Sequence, residues 1–344
     1  MKTTACVLAA LVVAAPLRAA APAAGGHRLA PPFAVGGDGG WDYATADPAA
    51  RRLFVSRGTH VMVVDMDSGK VVGDIPGTDG VHGIALAQDL KKGFTSNGRA
   101  GTVTVFDLPT LAVTGTIKVT GENPDAILYE PVTKRVFTFN GRGKNVTAID
   151  AASGAVVGTL PVGGKPEFAV SDASGVVYVN VEDTAEVLAF DAKSLAVKGR
   201  WKLASCEEPT GLAIDPKSKR LFAGCSGNKT LSILEAEGGK PVATVPIGAG
   251  CDAVAFDPGS GLAFASNGDG TLTVVKETSP GTYRAVETVA TKKGARTMAL
   301  DPSTHRIYLP AAQYGPTPAA TAEVPHPRPP IVPGSFEILV VVPR

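Results

Sequence analysis

Thr210-Gly211-Leu212-Ala213-Ile214-Asp215-Pro216 is one copy of a segment that the chain repeats. Equivalents begin at Asp42 (DYATADP), His82 (HGIALAQ), Asp125 (DAILYEP), Glu167 (EFAVSDA), Asp252 (DAVAFDP) and Arg296 (RTMALDP). The starts at 42, 82, 125, 167, 210, 252 and 296 are 40 to 44 positions apart. A steady period over that many copies marks a repeat architecture.

Each copy has the same grammar. A short apolar run ends in Asp-Pro or a variant, and a second follows, as in Lys134-Arg-Val-Phe-Thr-Phe-Asn140. A third runs into an Asp-x-x-[ST] turn, as at Asp150 to Ser153, and a fourth leaves it, as in Ala155 to Leu160. Runs of four to seven residues, rich in β-branched side chains and bounded by turn residues, read as strands. Four strands in about forty residues is the signature of a propeller blade. The chain therefore predicts an all-β fold, a seven-bladed propeller of four-stranded blades.

The last copy is incomplete. After Arg296–Leu300 and His305–Leu309 comes a proline-rich insertion at 316–333, then one strand, Ser335–Val342. Leu29–Val35, ahead of the first copy, supplies the missing fourth strand. The N-terminus is thus expected to complete blade seven and to close the ring, which removes an exposed edge. The expected domain spans 27–344.

Composition agrees with this reading. At 44% hydrophobic and 19% charged, the chain has enough apolar material for a core and too little charge for disorder. A formal net charge of +1 argues against bulk electrostatic capture of nucleic acid or an anionic membrane. Residues 1–24, with Lys2 ahead of an apolar run from Cys6 to Pro16, read as a signal peptide too short to span a bilayer. The expected location is periplasmic or secreted, with no membrane insertion. Without Cys6, Cys206, Cys225 and Cys251 remain. In an oxidising compartment that count gives one disulfide and one spare thiol. Cys206–Cys225 is the expected pair, because both fall at the same end of neighbouring strands in blade five. Cys251 is the competing partner, and three thiols on a metal is a further alternative.

The second strands Phe94-Thr-Ser-Asn97, Phe137-Thr-Phe-Asn140, Val177-Tyr-Val-Asn180 and Phe264-Ala-Ser-Asn267 are variants of one tetrapeptide. On these residues the chain resembles the YncE-like, YVTN-repeat β-propellers of bacterial envelopes over nearly its whole mature length. The resemblance implies fold rather than activity, and it brings no shared catalytic set. A single-stranded nucleic acid is a ligand implied by resemblance alone. Blades five (Phe222-Ala-Gly-Cys225) and seven (Tyr308-Leu-Pro-Ala311) depart from the pattern.

In a propeller the first strands line the central channel, and their entering loops emerge on the same face as the loops joining second to third strands. One mouth should therefore carry Asp42, His82, Asp125, Glu167, Thr210, Asp252 and Arg296 as an inner ring. Glu207 and Glu208 should lie beside the inner ring in the loop entering blade five, and an outer ring should carry His60, Arg99, Arg142, Glu182, Asn228, Asp269 and Gln313. Ionisable residues recur where strand formation demands no charge. Converging carboxylates call for a cation, a guanidinium or protons. One reading is a ligand site using Asp42, His82, Asp125, Glu167, Asp252, Arg296, His60, Arg99, Arg142 and Glu208. A divalent metal ion would there take His82, Asp125 and Glu167 as ligands. The other reading is a hydrated rim paired within itself, Arg296 bridging Asp252 and Asp42. His305 reads as a solvated strand-start residue, and His326 falls in the proline-rich stretch.

Nucleophile-elbow, zinc-protease, C-x-x-C and P-loop motifs are absent. Gly248-Ala-Gly-Cys-Asp-Ala253 leads into a strand instead of a helix, so it offers no dinucleotide site. The leading expectation is a monomeric, non-catalytic propeller binding a small ligand or an envelope protein at the charged mouth. A metal-assisted hydrolase or lactonase at the same face is the second, and single-stranded nucleic acid the third. That third ligand needs a basic groove with stacking aromatics. Trp41 is the only obvious aromatic near this rim.

Overall fold

The computed structural model describes residues 26–37, 39–321, 324–325 and 327–344. The signal-peptide reading, Cys6 and His326 lie outside the described residues. The chain forms seven four-stranded antiparallel sheets arranged as a β-propeller. Among the described residues only two single-turn 3-10 helices, Gln88–Leu90 and Glu182–Thr184, interrupt the strands. No helix among the described residues is long and apolar enough to cross a membrane.

In six blades the strands follow chain order. Blade two, for example, runs Val81–Ala87, Lys92–Asn97, Thr102–Asp107 and Val113–Lys118. Blade seven differs as the sequence predicts. Ala299–Asp301, Arg306–Ala311 and Glu337–Pro343 are completed by His27–Phe33, which pairs antiparallel with the C-terminal strand from His27↔Pro343 to Phe33↔Ile338. This closing strand begins and ends two residues earlier than Leu29–Val35. His27 accounts for the offset, because its amide and its ring Nδ1 each lie 2.8 Å from the Glu287 carboxylate. The Arg344 amide donates to the Gly26 carbonyl at 2.8 Å.

The core is not one globule but seven apolar clusters, one between each pair of neighbouring blades. Each blade buries an aromatic from its second strand, Phe54, Phe94, Phe137, Tyr178, Phe222, Phe264 and Tyr308, and blade three buries Phe139 as well. The cluster between blades seven and one, built on Leu53, Val55, Tyr308 and Ile338, closes the circle.

The repeated tetrapeptide now has a physical cause. Its Asn is fully buried, and its side-chain NH2 finds acceptors in each of the four blades. Asn97 Nδ2 donates to Thr102 Oγ1 (3.1 Å) and Thr104 Oγ1 (2.9 Å), while its Oδ1 accepts from Thr95 at 2.8 Å. Asn140 and Asn267 donate in the same way to their third strands. Asn180 instead reaches the Thr210 and Gly211 carbonyls of blade five. The departures fill the same position by other means. Cys225 forms the disulfide with Cys206, as expected, and Cys251 is free and buried. In blade one the position is Arg57, whose guanidinium lies over the Phe336 ring at 3.5 Å.

The Asp-x-x-[ST] turns are equally specific. Asp65, Asp107, Asp150 and Asp191 each accept from the amide and hydroxyl of the Ser or Thr three residues on. These bonds hold all four carboxyls below their ordinary range.

Candidate functional site at the channel mouth

The inner ring forms where the first strands break register. In blades two to six the ladder slips at the ring residue, between Val81 and Ile84, Pro124 and Ile127, Pro166 and Ala169, Pro209 and Leu212, and Cys251 and Ala253. A bulge frees the extra residue from pairing and re-aims its side chain. Here it aims His82, Asp125, Glu167, Thr210 and Asp252 at the axis. The backbone behind them is fastened from blade to blade. Ser96 Oγ donates to the Asp125 carbonyl, Thr210 Oγ1 to that of Cys251 (2.6 Å) and Ser266 Oγ to that of Arg296.

All seven inner-ring residues line one cavity of about 390 Å³. Lys165, Glu182 and Arg328 join them at its wall, along with Tyr43 and Phe168. Those two rings, from blades one and four, stack with centroids 5.5 Å apart.

The charges fall into three groups. In the first, His82 Nδ1 lies 2.6 Å from Asp42 Oδ2 and 3.7 Å from Asp125 Oδ1. Burial disfavours the imidazolium, but the hydrogen bond to Asp42 and the charge of Asp125 overcome it, so the His82 pKa is raised. Burial pushes the Asp125 carboxyl up, against the pull of His82. In the second, Lys165 Nζ contacts Glu167 Oε1 at 2.5 Å and also grips Glu182. Burial and the neighbouring Asp125 charge still raise Glu167 well above the carboxylate range. In the third, Arg296 Nε lies 3.2 Å from Asp252 Oδ2, and its Nη2 approaches Asp42 at 4.0 Å. Burial lifts Asp252 to about 6 even so.

The donor trio therefore differs from the expected one. Asp42, His82 and Asp125 can bring ligand atoms within 4.8 Å of one another. Glu167 belongs to the Lys165 group instead, because a flexible ammonium two residues upstream reaches it first. The expected bridge of Arg296 between Asp252 and Asp42 is present.

Apart from Glu182, the outer-ring residues do not line the cavity. His60 is 3.6 Å from Asp74 of its own blade, and Arg99 pairs with Asp79 at 2.9 Å. Arg99 and Arg142 line a separate groove between blades two and three. Glu208 is exposed on the loop entering blade five, with φ 51°. Of the outer ring, Glu182 does reach the mouth. The sequence reading missed Lys165, although its place in Gly163-Gly-Lys-Pro-Glu167 puts a cation beside the ring. It also missed Arg328, carried to the mouth by the proline-rich arm.

Neither a protein-family model nor a curated protein matches the chain.

Proposed function

We propose that this chain is a non-catalytic binding propeller of the bacterial envelope that takes a cation, or the cationic end of a small ligand, at its channel mouth. The observation that carries this is an excess of carboxyl groups over cationic side chains in one cavity. Five carboxylates (Asp42, Asp125, Glu167, Glu182 and Asp252) share the cavity with Lys165, Arg296 and His82, while Arg328 stays exposed at its edge. Asp125 and Asp252 hold their charge at a cost, as their raised pKa values record, and Glu167, raised further, holds a proton that a bound cation would displace. An entering cation relieves that cost, and a polar-lined concavity is where ligands favour binding. The trio of Asp42, His82 and Asp125 has the donor chemistry for a divalent metal ion. The envelope assignment draws on the YVTN-like second strands and the signal-like N-terminus.

A metal-assisted hydrolase is the second reading, favoured by the same trio, since three protein ligands leave coordination positions open for water. The test is calorimetric titration of calcium, zinc and copper against wild type, His82→Ala and Asp125→Asn. Binding that the two variants lose supports a metal at the trio. Equal heats for all three proteins, or none, return the mouth to an internally paired rim. Ester or lactone turnover that appears only with bound metal would favour the enzyme.

A further inference from the structure

The proline-rich arm of blade seven folds back as a narrow hairpin. Tyr314 bridges Ile331, Gly315 N donates to the Pro330 carbonyl at 2.8 Å, and Val332 N donates to that of Gln313 at 2.9 Å. Between this arm and the face of the ring lies a cleft of about 660 Å³, beside the channel mouth and roomier than it. The arm supplies Tyr314, Arg328 and Ile331 to its lining, and the ring supplies Trp41, Lys293 and Arg296.

The cleft has the opposite character to the mouth. No carboxylate lines it among the described residues, and three cations do. Arg296 is engaged by Asp252 on the channel side, whereas Lys293 and Arg328 are exposed and have no ion pair among the described residues. The aromatic surface is held in place. Trp41 packs on Phe336 with ring centroids 5.3 Å apart, and Tyr314 lies against Trp41 at 6.3 Å. Tyr314 Oη rests over Gly294, where an added Cβ would come within 2.6 Å of it. A glycine there, at φ +85°, lets the ring lie against the blade. Tyr314 remains 38% exposed.

We propose that this cleft is a second binding site, for a small planar aromatic anion. The ligand ring would stack on Trp41 and Tyr314, and its carboxylate or phosphate would be held by Arg328 and Lys293. A guanidinium matches a planar oxyanion with two parallel hydrogen bonds, and an ammonium adds a point charge. The aromatic walls offer a π-face and exclude water from those bonds. The volume falls within the range of about 300–1,000 Å³ typical of small-molecule sites. Gly40, in the lining, has no left-handed φ, and no other atom stands within 4 Å of where a Cβ would project. A larger side chain there can therefore occupy the cleft without straining the backbone.

The test uses benzoate, phenyl phosphate, benzyl alcohol and inorganic phosphate, read by calorimetry and tryptophan fluorescence. The chain has two tryptophans, Trp41 and Trp201, and Trp201 lies on the outer strand of blade four. Trp41→Phe should therefore remove the optical signal while calorimetry still reports binding. The expected result is quenching by benzoate or phenyl phosphate, the better of the two naming the anion. The neutral alcohol and inorganic phosphate should each bind at least about tenfold more weakly. Arg328→Gln, on the exposed arm, should weaken the aromatic anion about tenfold, and Gly40→Leu should abolish binding. The proposal is overturned if benzyl alcohol matches benzoate, if inorganic phosphate matches phenyl phosphate, or if Arg328→Gln changes nothing. It is equally overturned if no aromatic anion binds, or if a single-stranded oligonucleotide quenches Trp41 at far lower concentration than either aromatic anion.

Discussion

His27 and Glu287 stand 260 positions apart in the chain and meet at 2.8 Å, through both the imidazole and the amide of His27. The contact ties the first strand of the described chain, which belongs to blade seven, to the outermost strand of blade six. His27 is buried, with its ring edge-on to Phe264 at 5.3 Å. His27→Ala should therefore cost about 1–3 kcal/mol, the range for a buried group that loses hydrogen-bond partners. Removing residues 26–33 should cost far more, because it exposes the edge of Glu337–Pro343. Denaturant unfolding checks both, and a truncated chain with wild-type stability would show that the ring closes without this strand.

Asp252 makes the mouth sensitive to pH. Burial lifts its folded-state pKa from the ordinary 3.8 to about 6, so between those values the folded chain holds a proton that the unfolded chain has released. Stability from this group is present below the lower value and is lost as pH rises through the upper one. Asp252→Asn should accordingly gain on wild type as pH rises from about 4 to 7, by at most about 3 kcal/mol. Melting curves of both proteins across that range decide it; a difference that shrinks or stays flat contradicts the assignment.

The Cys206–Cys225 bond closes a loop with a sequence separation of 19. Cys225→Ser should lower stability by about 3 kcal/mol by freeing the unfolded chain. Cys251 should behave as an inert core thiol, since full burial raises its pKa. In the folded protein an exposed-thiol reagent should not react with it, and Cys251 should become reactive on denaturation without reductant. Rapid labelling of the native protein would contradict this placement.

Cores divided among blade interfaces predict a sharp contrast between strands. Phe137 is fully buried against Phe190 of the next blade, with ring centroids 5.5 Å apart. Phe137→Ala should cost about 3–5 kcal/mol. Val157, on the outer strand of the same blade, is 44% exposed, and Val157→Ala should change stability by no more than about 0.5 kcal/mol. Comparable losses at the two positions would mean that the Val157 side chain is packed as Phe137 is, against its exposure here.

The fold was legible because every blade repeats one local pattern, and a missing strand at one end of the chain matched a surplus strand at the other. The disulfide was legible because Cys206 and Cys225 fall at the same end of neighbouring strands in blade five. The mouth was legible in part. Period and phase say which residues face one end of the channel, but not how far from the axis each stands, so His60, Arg99 and Arg142 were grouped with residues they do not touch. The bulges that aim His82, Asp125 and Glu167 inward leave no mark in composition. Glu167 looked like a metal ligand because the reach of Lys165, a long side chain outside the repeat, is a matter of rotamer rather than spacing. Arg328 had no counterpart in any other blade to align with.

The bond from the Arg344 amide to the Gly26 carbonyl has a consequence for the order of the chain. The two ends of the described domain are neighbours, and an apolar cluster fills every blade interface. Where such a circle is cut is therefore incidental to its architecture. A gene rearranged to join Arg344 to Gly26 and to begin between Pro161 and Pro166, in the loop from blade three to blade four, encodes the same seven contacts in a new sequence order. Blade seven would then be continuous across the join, and the closure now made by two distant segments would become a local one.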